Sequence, residues 1–410
     1  MRSSWMAVAL VSALTSMACS GASSTGSSDG GAGGDGGGGG GDGGVSSSGL
    51  RPIQCLCYSP EPSDYAANHG ATGKYYDSDF ANDDFTALWG SYVDTGTGQN
   101  IGRQDLKHFA QDLGINMLRV YDWGVPSLRN HVPFLDECHK YGIRTMVPIS
   151  NYFVGLVQKN DASVKGQIAA IVKEVYQNGV KPHPAVAMFS VSNEWELSGN
   201  AITPDGIAKA TAMIVQAEDA LGVAAADRLP LTSPVSFAVR PPSADPSISA
   251  IMGLKSAFQA NGLGAVFDAR FMVGVNIYSK GSDIVTYLQT TYPKNFGTKP
   301  PSLFFSEIGQ NSDASNGGEA GQASWEMGQL AAVLPLARDA TQTTNGYFLG
   351  ACVFQSLDQT HKGGTEAQFG IYKFGTGTAP NAKTRSGQTY PVDNLLPKAA
   401  VGVVQSAFKG

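Results

Sequence analysis

The sequence predicts a single α/β domain, a closed (β/α)8 TIM barrel, on three observations. Eight apolar, strand-like runs alternate with helical patterns from about residue 50 onward. Such alternation implies a parallel sheet, and eight repeats of this length imply closure. An open doubly wound sheet is the competing architecture. It would need a glycine-rich phosphate loop after an early strand, and the chain has no GxGxxG or Walker-type run. Finally, two strand-like runs, FSVSNEW at 189–195 and LFFSEIG at 303–309, each lead into a glutamate. Pure scaffold rarely places acids at strand ends.

The strands are predicted at 53–58, 117–123, 143–149, 185–192, within 229–237, and at 271–278, 302–306 and 346–355. Helices are predicted at 103–113, 130–141, 164–177, 205–221, 247–261, 283–292 and 321–341, with a last one over 395–408. Leu106, Phe109, Ala110 and Leu113 share one helical face, and Gly114 ends it. Ile168, Ile171, Val172 and Val175 do the same for the helix after the third strand.

Two segments precede the domain, which is taken as 50–410. Residues 1–19 read as an export signal. Arg2 supplies a positive start, Met6 to Leu14 is an apolar run too short to span a membrane, and Ser16-Met17-Ala18-Cys19 follows. A small residue before a lone cysteine resembles a bacterial lipoprotein cleavage site, with Cys19 lipidated. Ordinary cleavage and release into the medium or periplasm is the alternative. Residues 20–49 are nearly all Gly, Ser, Ala and Asp, so they build no core and read as a flexible tether of roughly 30 Å. The expectation is an exported protein at the cell surface or outer membrane, touching membrane only through that lipid.

The 410 residues carry a net charge of −6 with 15% charged side chains. That balance argues against nucleic acid, which wants a basic face. The six histidines show no metal-ligand spacing, and no Asp-rich loop has calcium periodicity, so no metal or cofactor is expected. A monomer is expected. Cys55 and Cys57 alternate onto one face and are poorly placed to bond each other. A bond from one of them to Cys352 and free buried thiols both remain open.

Barrels carry their sites at the C-terminal ends of their strands. Glu194 ends the fourth and Glu307 the seventh, facing each other across the mouth. Two carboxylates about 5–5.5 Å apart are the equipment of a retaining glycosidase, one neutral to protonate the leaving oxygen and one ionised to attack.

The Asn193-Glu194 dipeptide at a fourth-strand end resembles the clan A glycoside hydrolases. LGINMLRVY at 113–121, FSVSNE at 189–194, GVNIY at 274–278 and FFSEIGQN at 304–311 are similar to the fungal glycolipid-anchored β-1,3-glucanosyltransferases, glycoside hydrolase family 72. Gly102 and Arg103 stand where that family carries a cysteine whose partner would be Cys138, and Gln310 replaces another. The resemblance implies Glu307 as nucleophile, Glu194 as acid/base, and Asn193 as ligand of the sugar 2-hydroxyl. Tyr278 is expected to donate its hydroxyl to Glu307. Arg119 and Tyr121 alternate onto one face of the second strand, expected to be the barrel interior. Trp123, Tyr152, Phe153 and Trp195 are candidates for stacking on sugar faces, and Gln355 and Gln359 for lining the donor side. The expected substrate is an oligo- or polysaccharide, a β-glucan. The expected reaction is transfer, with a β-1,3-glucanase or other clan A endo-hydrolase as alternative. A non-catalytic surface polysaccharide-binding protein is the alternative of a different class.

Overall fold

The computed structural model describes residues 47–70, 74–177, 179–197, 199, 201–237, 246–297, 300–338 and 346–410. The expected leader with Cys19, and all of the tether but its last three residues, lie outside the described residues.

The barrel strands are β1 (Ile53–Cys57), β2 (Met117–Arg119), β3 (Arg144–Ile149), β4 (Val186–Val191), β5, β6 (Phe271–Ile277), β7 (Leu303–Ile308) and β8 (Phe348–Val353). β5 is two short pieces, Leu231–Thr232 and Val235–Phe237. Pro234 interrupts it because proline has no N–H for the ladder. The first piece pairs with both β4 and β6, so the ring closes there, and every neighbouring pair is parallel. The eight strand positions match the sequence expectation within a few residues at their ends.

Strands β4, β6, β7 and β8 are buried along their whole length, as parallel strands covered on both faces should be. Their two faces feed different cores. Leu56, Leu118, Val147 and Phe305 pack outward against helix residues such as Phe134, Ile171, Ile214 and Leu330. Ile53, Cys55, Cys57, Met117, Met146, Met188, Met272, Phe304 and Cys352 form the other cluster, which contains no residue of the surrounding α-helices and fills the barrel. Its sulfur-rich make-up suits a tapering interior, since methionine adapts to irregular gaps. Cys55 faces Cys352 across the β1–β8 seam and is disulfide-bonded to it, while Cys57 and Cys138 are free and buried. The seam also needs Gly350: a Cβ there would lie 2.2 Å from the Ile53 carbonyl oxygen, at φ +137°.

Three expectations are corrected. The second strand ends at Arg119 rather than running to Trp123, because the chain bends at Tyr121 and Trp123 packs in the outer core. Leu395–Pro397 is a strand, antiparallel to Tyr372–Phe374, and the final helix is Ala399–Lys409. Pro397 disfavours helix in the residue before it. Helices Asn151–Gln158 and Gly264–Arg270 were not foreseen. Among the described residues no helix is long and apolar enough to cross a membrane.

Helix Gly318–Arg338 follows β7 and buries Gln322, Glu326 and Gln329 on its inner face. Burial pushes the Glu326 carboxyl up to about 8, against the Lys398 charge and the Gln322 amide. The folded chain therefore holds this proton more tightly than the unfolded chain. The stability this group contributes is complete at low pH and is lost as pH rises from the ordinary glutamate range through about 8. Glu326→Gln should flatten the fall in Tm across that window. An equally steep fall in the variant would refute this.

Candidate active site

Glu307 lies in β7 beside Asn276 of β6, its register partner. Its carboxylate is buried and receives three donors. Oε1 accepts from Arg119 Nη1 at 2.7 Å and from the Tyr121 hydroxyl at 2.7 Å. Oε2 accepts from the Tyr278 hydroxyl. Charged and phenolic donors of this kind make the strong hydrogen bonds a carboxylate can accept. Period-2 alternation accounts for two of them, since Arg119 and Tyr121 both reach inward from β2 and its extension. The guanidinium also lies over the Tyr121 ring, 4.8 Å from its centre.

Arg119 is itself buried and links four neighbours. Besides Glu307, its Nη1 reaches the Ser306 carbonyl at 2.8 Å and Asn276 Oδ1 at 3.2 Å. Its Nη2 donates to Asn193 Oδ1 at 2.6 Å. Below it, the buried Cys57 thiol approaches the Ser306 carbonyl at 3.5 Å, and burial pushes that thiol up to about 12, so it stays neutral.

The C-terminal end of β4 is a kinked turn. Ser192 and Glu194 adopt left-handed backbone, φ +67° and +45°. Each such non-glycine residue costs on the order of 1–3 kcal/mol and persists only where its surroundings demand it. Asn151 supplies that demand. Its Oδ1 accepts from the Ser192 hydroxyl and from the Asn193 backbone N–H at 2.9 Å, and its Nδ2 donates to the Asn193 carbonyl at 3.0 Å. The Glu194 N–H donates to the Pro234 carbonyl at 2.9 Å, across the gap in β5. The turn thereby aims Asn193 and Glu194 at the mouth.

Asn276 joins the two halves. Its Oδ1 accepts from Arg119 and from the Ser306 hydroxyl at 2.7 Å, and its Nδ2 donates to Asn193 Oδ1 at 3.2 Å. The Glu194 carboxyl is pushed up to about 7, mainly by burial and then by the Glu307 charge, against an Asn276 hydrogen bond and the Arg119 charge. Two carboxyls from opposite strands thus share one buried network, and one of them retains a proton near neutrality.

The structure brings together Arg119, Tyr121, Asn193, Glu194, Tyr278 and Glu307. Other candidates are placed differently. Trp123 is wholly buried, stacked on His131 with ring centres 4.0 Å apart, and its indole N–H donates to Glu174 at 3.0 Å. It leaves the barrel with the outward bend of its chain and presents no face to a sugar. Trp195 and Phe153 are buried in the outer core, whereas Tyr152 is 65% exposed. Gln355 follows β8, and both atoms of its buried amide lack a partner among the described residues. Gln359 donates to Glu61 at 3.4 Å, and its buried Oε1 lacks a partner.

Asn151, Asn276, Phe354 and Phe369 belong to the site and were not singled out from sequence. Phe354 packs against the rings of Tyr121, Tyr278 and Phe369 at 6.3, 6.1 and 5.3 Å. Asn276 was within reach of sequence reasoning, being the inward residue two before Tyr278. Among the described residues no group of three or more His, Cys, Asp or Glu could hold a metal ion.

No protein-family model and no curated protein matches the chain. Solved structures do. Gas2p of Saccharomyces cerevisiae, a mutant in complex with laminaritetraose and laminaripentaose, matches at TM-score 0.50 and 14% identity over 87% of this chain. The present chain spans 63% of that protein's length. CJP38, a β-1,3-glucanase and allergen of Cryptomeria japonica pollen, matches at TM-score 0.45 and 14% identity, over 65% of this chain and 89% of the other. At such identity the likeness to Gas2p is one of fold: the chain shares its (β/α)8 barrel.

Proposed function

We propose that this chain is a retaining glycosidase-type enzyme that acts on β-glucan by double displacement, with β-1,3-glucanosyl transfer as its reaction. The observation that carries the reading is the unequal pair of carboxyls. Glu307 faces a guanidinium and two phenols, while Glu194 is held neutral up to about pH 7. Glu307 attacks the anomeric carbon and forms a glycosyl ester as Glu194 protonates the leaving oxygen. Glu194 then takes the proton of the incoming hydroxyl, which attacks that ester. Asn193 Oδ1 is occupied by Arg119 and Asn276, which leaves its Nδ2 as the donor suited to the 2-hydroxyl of the sugar. Gln355, buried with an unpaired amide, is a further donor-side contact, and exposed Tyr152 is a platform for a sugar face. The motif likeness to transferases at 113–121 and 304–311 favours transfer over hydrolysis.

Short β-1,3-glucan oligosaccharides test this directly. Longer products are expected; only shorter ones would mean a hydrolase, and no change would favour a non-catalytic binder. Glu307→Gln should abolish turnover, and Glu194→Gln should lower it roughly 10²–10⁴-fold. Azide should rescue Glu307→Ala as an α-glycosyl azide and Glu194→Ala as a β-azide. The opposite pairing would reverse the two roles.

The pH profile has a definite sign. The raised Glu194 carboxyl carries its proton below about 7 and loses it above, so kcat/KM should decline on the alkaline side through that value. A profile flat to pH ~9 would exclude Glu194 as the acid.

Export with lipidation at Cys19 belongs to the same proposal and rests on residues 1–19. Labelled palmitate should enter the parent chain and not Cys19→Ser. Equal labelling of both, or none, would remove the anchor.

A further inference from the structure

We propose that Gln329 and Gln322, neither of which touches the reacting atoms, are positioning residues that hold the Tyr278 phenol on Glu307. The inference rests on the reading of Glu307 given above.

Gln322, Glu326 and Gln329 stand four and three residues apart on helix Gly318–Arg338, so they share its barrel-facing side, and all three are fully buried. A helix lying on a barrel normally presents an apolar stripe there. Here two amides grip backbone instead. Gln329 Nε2 donates to the Ser279 carbonyl at 2.8 Å, one residue beyond Tyr278. The same segment is seated sterically, since a Cβ on Gly281 would lie 2.4 Å from the Gly328 carbonyl oxygen of the helix. Two turns away, Gln322 Nε2 donates to the Phe369 and Gly370 carbonyls, each at 3.2 Å. The Phe369 ring packs on Tyr278 at 5.6 Å.

One helix face therefore sets both the backbone that carries the phenol and the ring that backs it. It also reaches the turn after the nucleophile: a Cβ on Gly309 would lie 2.6 Å from the Phe354 carbonyl oxygen and 3.8 Å from Glu326 Oε1. The other groups facing Glu307 are Arg119, Tyr121 and Glu194, at the ends of β2 and β4; of these Tyr121 meets the Gln322 end of the helix through Phe354 and Phe369, whereas Gln329 grips the Tyr278 segment itself. Loosening the Gln329 contact should therefore act through Tyr278.

The test uses Gln329→Met, which keeps the volume and removes the donor, with Gln322→Met as a second variant should the first fold poorly. The first readout needs no substrate. The ¹³Cζ resonance of Tyr278, assigned by its loss in Tyr278→Phe, should move in Gln329→Met toward its position in Glu307→Gln. An unmoved resonance in both glutamine variants would overturn the proposal. The second readout is kinetic. Gln329→Met should lower kcat by about tenfold to 10²-fold with little change in KM, the scale of a small misplacement relayed to the chemistry. In a Tyr278→Phe background the same substitution should cost nothing further. An equal loss in both backgrounds would make Gln329 merely structural and overturn the proposal. A parent chain inactive on every glucan would defeat the proposed function and leave the resonance test to decide this one.

Discussion

The site depends on one buried cation. Arg119 sits in the barrel with almost no exposure, and its guanidinium is satisfied by acceptors from three other strands or their ends: Asn193 after β4, Asn276 in β6, and Ser306 and Glu307 in β7. A charge taken out of water is tolerated only when paired and fully hydrogen-bonded. The five donors of a guanidinium form a rigid fork, so their directions fix where the acceptors must be. A lysine would offer the charge without the fork. The relative placement of β2, β4, β6 and β7 at the mouth is thus tied to a single side chain, and the nucleophile candidate is one of its obligatory partners.

Around that anchor the chain accepts local strain at the barrel mouth. Left-handed backbone at Ser192 and Glu194 has no purpose in a strand that merely continues the sheet. It redirects two side chains that extended geometry would send elsewhere, and Asn151 holds both sides of the kink. Asn151 opens helix Asn151–Gln158, so a rigid element, and not a loop, supports the turn. The break in β5 serves the same turn, for the carbonyl freed at Pro234 accepts the Glu194 N–H.

Much of this was legible in the sequence, and the failures have physical reasons. Strand and helix alternation, the glutamates ending two strands, and the inward pairing of Arg119 with Tyr121 all follow from periodicity, which a parallel barrel obeys closely. Trp123 was misplaced because period-2 reasoning assumes that a strand goes on; the chain turns out of the sheet after Arg119, and the same apolar side chain serves the outer core. Leu395–Pro397 passed for helix because its apolar spacing fits either element. Asn151 and Asn276 escaped notice for a different reason. An asparagine announces nothing by type, and its importance comes from which backbone and side-chain atoms the fold brings to its amide. Gln322 and Gln329 are the same case on a helix.

The asymmetry between the two acids follows from geometry rather than from their own chemistry. Both are glutamates, both are largely buried, and one positive charge lies near them. Arg119 gives hydrogen bonds to Glu307 and to the Asn193 amide, and reaches Glu194 only through space. Tyr121 and Tyr278 likewise donate to Glu307. Burial of Glu194 outweighs the Asn276 hydrogen bond and the Arg119 charge, and the nearby Glu307 charge adds to the effect, so its carboxyl holds a proton up to about 7. Giving Glu194 these hydrogen bonds instead would require turning the guanidinium away from Glu307. Its bonds to Ser306 and Asn276 prevent that, and Asn276 is in turn held by the Ser306 hydroxyl. Which carboxyl receives these hydrogen bonds is therefore fixed before any ligand binds, by amides and a guanidinium held inside the barrel.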